Sequence, residues 1–212
     1  MKQQGIFITV EGGEGVGKST NIETIETFLR DNNIDYVLTR EPGGTLIAEK
    51  IRGLLLELQD ENFDPTCELL LMFAARAQHL NEFIKPALAQ GKWVLCDRFT
   101  DATYAYQGAG RKLDTKLIEK LENLVQGELR PDLTIILDLD PVIGLQRARD
   151  RGELDRFEIE QMDFFNAVRQ CYLDIASSQP QRCVIIDAAA ELEQVKQSLI
   201  QTLQNRLQSF IE

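Results

Sequence analysis

Ile6-Phe7-Ile8-Thr9-Val10-Glu11-Gly12-Gly13-Glu14-Gly15-Val16-Gly17-Lys18-Ser19 decides how this chain folds. Ile6 to Val10 is a candidate strand, and Lys18 to about Arg30 is a candidate helix. Between them, Gly12 to Ser19 fits G-x-x-x-x-G-K-[ST], in the strand–turn–helix setting that gives the pattern its meaning. Glycines let the backbone curl until successive N–H groups point inward as an anion nest. The helix that follows directs its positive end at the same spot. Gly12, Gly13, Glu14, Gly15, Val16 and Gly17 therefore form a phosphate loop, with Thr20 beside it. Lys18 is placed to reach the β/γ-phosphates of a nucleoside triphosphate and Ser19 to hold Mg2+.

Outward from this stretch, short apolar runs alternate with longer amphipathic ones. Tyr36-Val37-Leu38, Trp93 to Cys96, Leu133 to Leu137 and Cys183 to Ile186 are four further candidate strands. They read as apolar on both faces, as strands covered on both sides do. Strand–helix alternation predicts an α/β fold: a five-stranded parallel sheet, doubly wound, flanked by helices. Asp64-Pro65 and Asp140-Pro141 each put a capping carboxylate before a proline suited to a first helical position. One long apolar helix is expected from Pro65 to about Ala89, and a last amphipathic one from Glu191 to Phe210. No repeat or Gly/Ser/Pro-rich linker divides the chain, so residues 1–212 are read as a single domain.

Composition bounds the class. A chain of 212 residues buries about 70% of its unfolded surface and needs no staple. Its 34 acidic against 23 basic residues give a net charge of −11, a poor match for nucleic acid or an anionic membrane. No apolar run approaches the roughly 20 residues that span a bilayer. The residues from Met1 lack the length and cleavage site of a signal peptide. Cys67, Cys96, Cys171 and Cys183 show no paired spacing, which suits a reduced, cytoplasmic protein.

A phosphate loop alone does not say what is done with the triphosphate, since switches, motors and kinases share it. A guanine-reading Asn-Lys-x-Asp is absent from the sequence. Asp97-Arg98 follows the third strand and so falls at the carboxyl end of the sheet, near the loop. Arg98 can grip a second phosphate with two parallel bonds, and Asp97 can hold Mg2+ through water. Arg40 falls in the same layer. The stretch at about 147–157 carries Arg147, Arg149, Arg151 and Arg156 around Gly152. In an acidic chain such local positive density suggests an anion nearby: the stretch is a candidate lid whose arginines would stabilise charge on a transferring phosphoryl group, or a helix tail whose arginines pair with Asp150, Glu153 and Asp155.

With these pieces in order the chain resembles the bacterial thymidylate kinases (dTMP kinases) over essentially its whole length. The resemblance rests on the phosphate loop, Thr39-Arg40-Glu41-Pro42-Gly43-Gly44, Asp97-Arg98-Phe99 and Tyr104-Ala105-Tyr106-Gln107-Gly108. Arg130 to Thr134 and Arg151 to Arg156 add to it. It implies ATP and dTMP as substrates, Mg2+ as cofactor, ADP and dTDP as products, and a homodimer. It places Arg98 and Arg40 on the dTMP phosphate, with Glu41 in the same motif, and Glu14 near the deoxyribose 3′-hydroxyl. Arg76, Thr103 and Gln107 go around the thymine edge, Tyr106 under the sugar, and Arg52 in the pocket lining.

Two details stay open. Relatives carry a base-stacking Phe four residues before the pocket arginine; here Met72 holds that place and Phe73 follows it. Phe73 is the candidate, since spacings of three and four share a helix face. Some relatives carry a basic catalytic residue in the loop; here none lies between Gly13 and Val16, and the resemblance to similar bacterial enzymes implies that the cation comes from the lid. Arg151 is the first choice, Arg156 and Arg149 are alternates, and Arg147 serves the ATP side. His79, the single histidine, is read as a surface or structural residue. The rival readings are a kinase for another nucleoside or nucleotide acceptor and a nucleotide-dependent switch.

Overall fold

In the computed structural model, residues 5–58, 61–152 and 154–211 are described, with side chains to residue 208. Five strands form one sheet: β1 (Phe7–Gly12), β2 (Tyr36–Arg40), β3 (Trp93–Asp97), β4 (Leu133–Asp138) and β5 (Cys183–Asp187). Their order is β2-β3-β1-β4-β5 and every pairing is parallel. The helices are α1 (Lys18–Asp31), α2 (Leu46–Leu56), α3 (Pro65–His79), α4 (Lys85–Ala89), α5 (Thr100–Thr103), α6 (Thr115–Gln126), α7 (Pro141–Arg151), α8 (Met162–Ser178) and α9 (Leu192–Ile211). Register puts Arg40 and Val10 both opposite Asp97, so β1, β2 and β3 deliver their loops to one edge.

Side chains along β1 alternate between two cores, as strand geometry requires. Ile6, Ile8 and Val10 pack with Ile25, Leu29, Leu199 and Leu203 of α1 and α9. Phe7 faces the opposite side with Leu80, Ile84, Val94 and Phe99. That side is not wholly apolar, contrary to expectation. Thr9 and Glu11 are buried there, and Thr9 is bonded to the Thr134 hydroxyl at 2.8 Å. The edge strands β2 and β5 also leave Leu38 and Ile185 exposed.

The Asp64 and Asp140 carboxylates cap α3 and α7 as read, accepting from Thr66 and Cys67 N–H and from Val142 N–H. The long helix from Pro65 is interrupted. Leu80–Ile84 widens into a π-helical turn, with Lys85 N–H on Leu80 C=O, before α4. Pro86 explains it: proline has no N–H and its ring clashes with the carbonyl four residues back, so the ladder shifts by one. Tyr104–Gly110 is a second π-helical segment, continuing α5.

The phosphate loop and α7 meet backbone to backbone. A Cβ on Gly144 would sit 2.2 Å from Glu14 C=O, and one on Gly15 1.9 Å from Gly144 C=O. Gly144→Ala is therefore expected to destabilise by ~1–3 kcal/mol through overpacking. Gly53→Ala, with no atom near its added methyl, should stabilise by ~0.5–1 kcal/mol as a helix substitution. Thermal melting of both variants beside the parent checks the pair; a Gly144→Ala melting point at or above the parent's would contradict the contact.

Candidate active site

The carboxyl edge of the sheet opens into a cavity of about 430 Å³ whose wall includes Glu14 to Thr20, Asp97, Arg98, Arg76, Thr103, Tyr106 and Gln107. A wider groove of about 950 Å³ runs between α1 and α9, but Lys196 is the one cation among its described lining residues and no amide nest faces it. Phosphate chemistry belongs to the smaller cavity.

Arg98 organises one side. Its φ of 66° is left-handed, a conformation costing roughly 1–2 kcal/mol for a residue with a Cβ. Three bonds hold it: Arg98 N–H to Val10 C=O at 3.0 Å, Phe99 N–H to Glu11 Oε1 at 2.7 Å, and Cys96 Sγ to Arg98 C=O at 3.0 Å. The guanidinium then reaches back to the phosphate loop, donating to Gly12 C=O at 2.7 Å and to Glu14 Oε1 at 2.8 Å. Tyr106 hydroxyl donates to the same Glu14 oxygen at 2.6 Å, and the Tyr106 ring lies 4.7 Å from the guanidinium carbon.

The charges are mutually tuned. Burial alone would raise the Glu14 carboxyl, but Arg98, Lys18 and the Tyr106 hydroxyl outweigh it and its pKa falls. Burial and the nearby Arg98 pull Lys18 below its ordinary value, against Glu14, Asp97 and Glu11. Asp97 Oδ1 is buried without a hydrogen-bond partner, an unsatisfied oxygen of the kind that suits a hydrated divalent cation. Behind the loop, Glu11 is fully buried and accepts from Tyr172 hydroxyl at 2.8 Å as well as from Phe99 N–H. Burial, with Asp101 adding, lifts its pKa to about 8 against the pull of Arg98, Tyr172 and the Phe99 amide.

On the other side, Arg76 is held by a relay. Its Nε donates to Glu41 Oε2 at 2.7 Å, and one terminal nitrogen donates to Thr103 Oγ1 at 3.0 Å and to Phe99 C=O at 3.1 Å. Glu41 Oε1 meets His79 Nδ1 at 3.0 Å, and His79 Nε2 meets Thr39 Oγ1 at 2.7 Å. A carboxylate only accepts, so the His79 Nδ1 carries a proton. His79 is thus buried and structural, not at the surface. Gly44 is required against it, because a Cβ there would lie 2.3 Å from His79 Nε2. Arg76 Nη1 is left buried and unpartnered on a residue that lines the cavity.

Of the residues singled out in the sequence, Lys18, Ser19, Thr20, Glu14, Gly15, Val16, Gly17, Glu41, Arg52, Arg147 and Arg151 also reach the cavity wall. Gly12 and Gly13 stand behind it, offering carbonyls to Arg98 and Lys18. Arg40 is not brought in: it is exposed and pairs with Glu49 at 3.0 Å. Phe73 is not brought in either. It packs in a core cluster with Leu69 and Ile118, while Met72 lines the cavity. One residue turns a helical side chain by about 100°, enough to exchange wall for core. Of the two alternate lid arginines, Arg149 faces outward beside Met162. Arg156 is buried, with Nε on Leu55 C=O at 2.8 Å. Glu153, in the lid stretch, lies outside the described residues. The supporting groups Glu11, Glu68, His79 and Tyr172 were not found by motif. For the α3 residues a signal existed: Glu68, Met72, Arg76 and His79 recur at helical spacing on one face.

Fold and site together define a P-loop kinase. A sequence profile described as thymidylate kinase matches residues 10–199. The thymidylate kinase of Teredinibacter turnerae is 58% identical over 207 residues, covering 98% of this chain and 99% of that protein. That of Pseudomonas entomophila is 59% identical over 195 residues, covering 92% and 93%. The crystal structure of thymidylate kinase from Ehrlichia chaffeensis superposes with a TM-score of 0.77 at 38% identity, covering 95% of this chain and all of that one. The chain belongs to the thymidylate kinase family.

Glu11 supplies a pH test. A carboxyl raised to about 8 in the folded state, against 4.5 ordinarily, adds stability that is complete below the ordinary value and disappears as pH climbs through about 8. Glu11→Gln removes that titration. The melting point of the parent should fall relative to the variant by several degrees between pH 5 and pH 8.5; a constant gap would show that Glu11 does not titrate with folding.

Proposed function

We propose that this chain transfers the γ-phosphoryl group of ATP to dTMP, giving ADP and dTDP. The single observation that carries the proposal is one cavity joining the amide nest to Arg98 and to the polar edge of Arg76, Thr103 and Gln107. Family membership supports it, and so does the placement of Arg98. An arginine aimed beside the nest suits an acceptor that already bears a phosphate, which favours a nucleoside monophosphate over a nucleoside.

An oxygen of the dTMP phosphate attacks the γ-phosphorus in line, and the bond from that phosphorus to the β,γ-bridging oxygen breaks, leaving ADP. The attacking oxygen is already anionic, so no general base is needed. Catalysis is positioning and charge neutralisation. Loop amides and Lys18 hold the donor phosphates. Arg98 holds the acceptor phosphate, exchanging its bond to Glu14 for one to the substrate; Glu14 and Tyr106, already hydrogen-bonded, then face the sugar. Arg151 is exposed and tethered to Glu158 at 2.5 Å, a contact it can release to reach the transferring group. Arg147 serves the ATP side and Arg52 the pocket wall. Ser19 and Asp97 would hold Mg2+, which when bound neutralises phosphate charge; the unsatisfied Asp97 oxygen supports this.

The same proposal makes the chain one domain with a lid at about 147–157, working in the cytoplasm as a homodimer. Its four cysteines are free, and among the described residues no helix is long and apolar enough to cross a membrane. Leu46, Leu54 and Leu70, each more than half exposed on α2 and α3, support a subunit contact there.

A coupled ADP-release assay should show dTMP far ahead of thymidine and dCMP; faster turnover of thymidine would refute the acceptor assignment. Lys18→Ala should lower kcat on the order of 10²-fold or more without unfolding, as loss of a phosphate clamp does. Arg151→Ala should lower kcat by about 10²- to 10³-fold while the KM for dTMP moves little. An equal loss in both constants would make it an acceptor-positioning group instead.

A further inference from the structure

Glu68, on α3, is completely buried, yet no step of the reaction uses it. Three side chains converge on its carboxylate. Oε1 accepts from Gln107 Nε2 at 2.8 Å and from Arg111 Nε at 3.3 Å, and Oε2 faces Arg156 Nη1 at 2.7 Å. Both arginines are themselves held. Arg111 pairs with Glu160 at 2.5 Å. Arg156 lies over the rings of Phe63 and Phe157 at 4.6 and 4.4 Å, with Nε on Leu55 C=O. Glu68 thus has a fixed position and faces two guanidiniums.

We infer that Glu68 is a positioning residue that sets the base specificity of the acceptor pocket, by fixing which end of the Gln107 amide faces the cavity. The inference rests on the acceptor site proposed above. A carboxylate between two arginines only accepts hydrogen bonds, so it binds the NH2 end of the amide. The two ends of a glutamine amide look alike in shape, and this contact decides between them on chemical grounds. Gln107 lines the cavity, and with its NH2 end turned to Glu68 its oxygen is the end left facing a ligand. Beside it stands Arg76, whose unpartnered Nη1 can only donate.

The pocket therefore presents one donor and one acceptor. A 4-oxo pyrimidine with a protonated N3 offers the complement: its carbonyl meets Arg76 and its N3–H meets the Gln107 oxygen. A 4-amino pyrimidine offers the reverse, setting an amino group against a guanidinium and a ring lone pair against a carbonyl. Leaving both ends of a buried pair unmatched is the strong mode of substrate rejection. This also gives Arg156 work away from the transferring phosphate: it anchors the lid to the carboxylate that orients the base reader.

Glu68→Gln tests the inference, because the new amide can donate as well as accept and so permits Gln107 to turn. The ratio of kcat/KM for dTMP over dCMP should fall at least tenfold, through a higher KM for dTMP with the KM for ATP nearly unchanged. Glu68→Asp, which keeps an accept-only group, should preserve the ratio. A merely structural role would lower both substrates together and leave the ratio intact, which would overturn the inference. A measurement on the parent needs no variant and no turnover. In the nucleotide-free protein, the Gln107 side-chain NH2 protons should exchange with solvent at least tenfold more slowly by NMR than those of exposed glutamines such as Gln146. Fast exchange there would overturn the orientation even if dTMP kinase activity is confirmed. Failure of the parent to convert dTMP would instead refute the activity proposal, and the base assignment with it, while slow exchange would still establish the Glu68–Gln107 contact.

Discussion

Everything in the active cavity depends on Arg98 being held in a left-handed backbone conformation at the end of β3. In that geometry its guanidinium folds back onto Gly12 and Glu14 of the phosphate loop, which joins the end of β3 to the loop after β1. An extended residue at the same position would send its side chain elsewhere, and the loop would lose this guanidinium. The cost of the conformation is met by Glu11, whose buried carboxyl group accepts from the next amide and from the Tyr172 hydroxyl. The sheet thus supplies more than a platform: a polar residue on the inner face of β1 determines how the neighbouring strand ends.

Around that point the pocket is built by carboxylates that touch arginines. Glu41 aligns Arg76, Glu14 restrains Arg98, and Glu68 gathers Arg111, Arg156 and Gln107. Each is mostly or wholly buried. A buried guanidinium without such a partner would be costly, and a long side chain without two or three contacts would sample many rotamers. Carboxylate pairing solves both difficulties, and leaves selected nitrogens, such as Arg76 Nη1, unsatisfied for a ligand.

Much of this was legible in the linear chain. The five strands, the phosphate loop, the two Asp-Pro helix starts and the parallel α/β class follow from periodicity and from what glycine and proline permit, which are local properties. So does the placement of Asp97-Arg98 at the sheet's carboxyl edge. Arg40 and Phe73 show the limit. Both sit in the right motif, but Arg40 turns outward to Glu49 and Phe73 turns into the core while Met72 takes the wall. A rotation of one residue along a helix or strand reverses the face, and no local rule sets it.

Local covalent geometry and hydrophobic pattern determined, from sequence alone, the five strands, the first and last helices, the Asp-Pro helix starts and the phosphate loop after β1. Tertiary structure decided which charged groups meet: Glu68 with Gln107 and Arg156, Glu41 with Arg76 and His79, Glu11 with Tyr172 from 161 residues away. Such pairs carry no spacing signature because their partners are chosen by packing between elements distant in the chain. Their strength depends on burial that exists only once the helices have closed over the sheet.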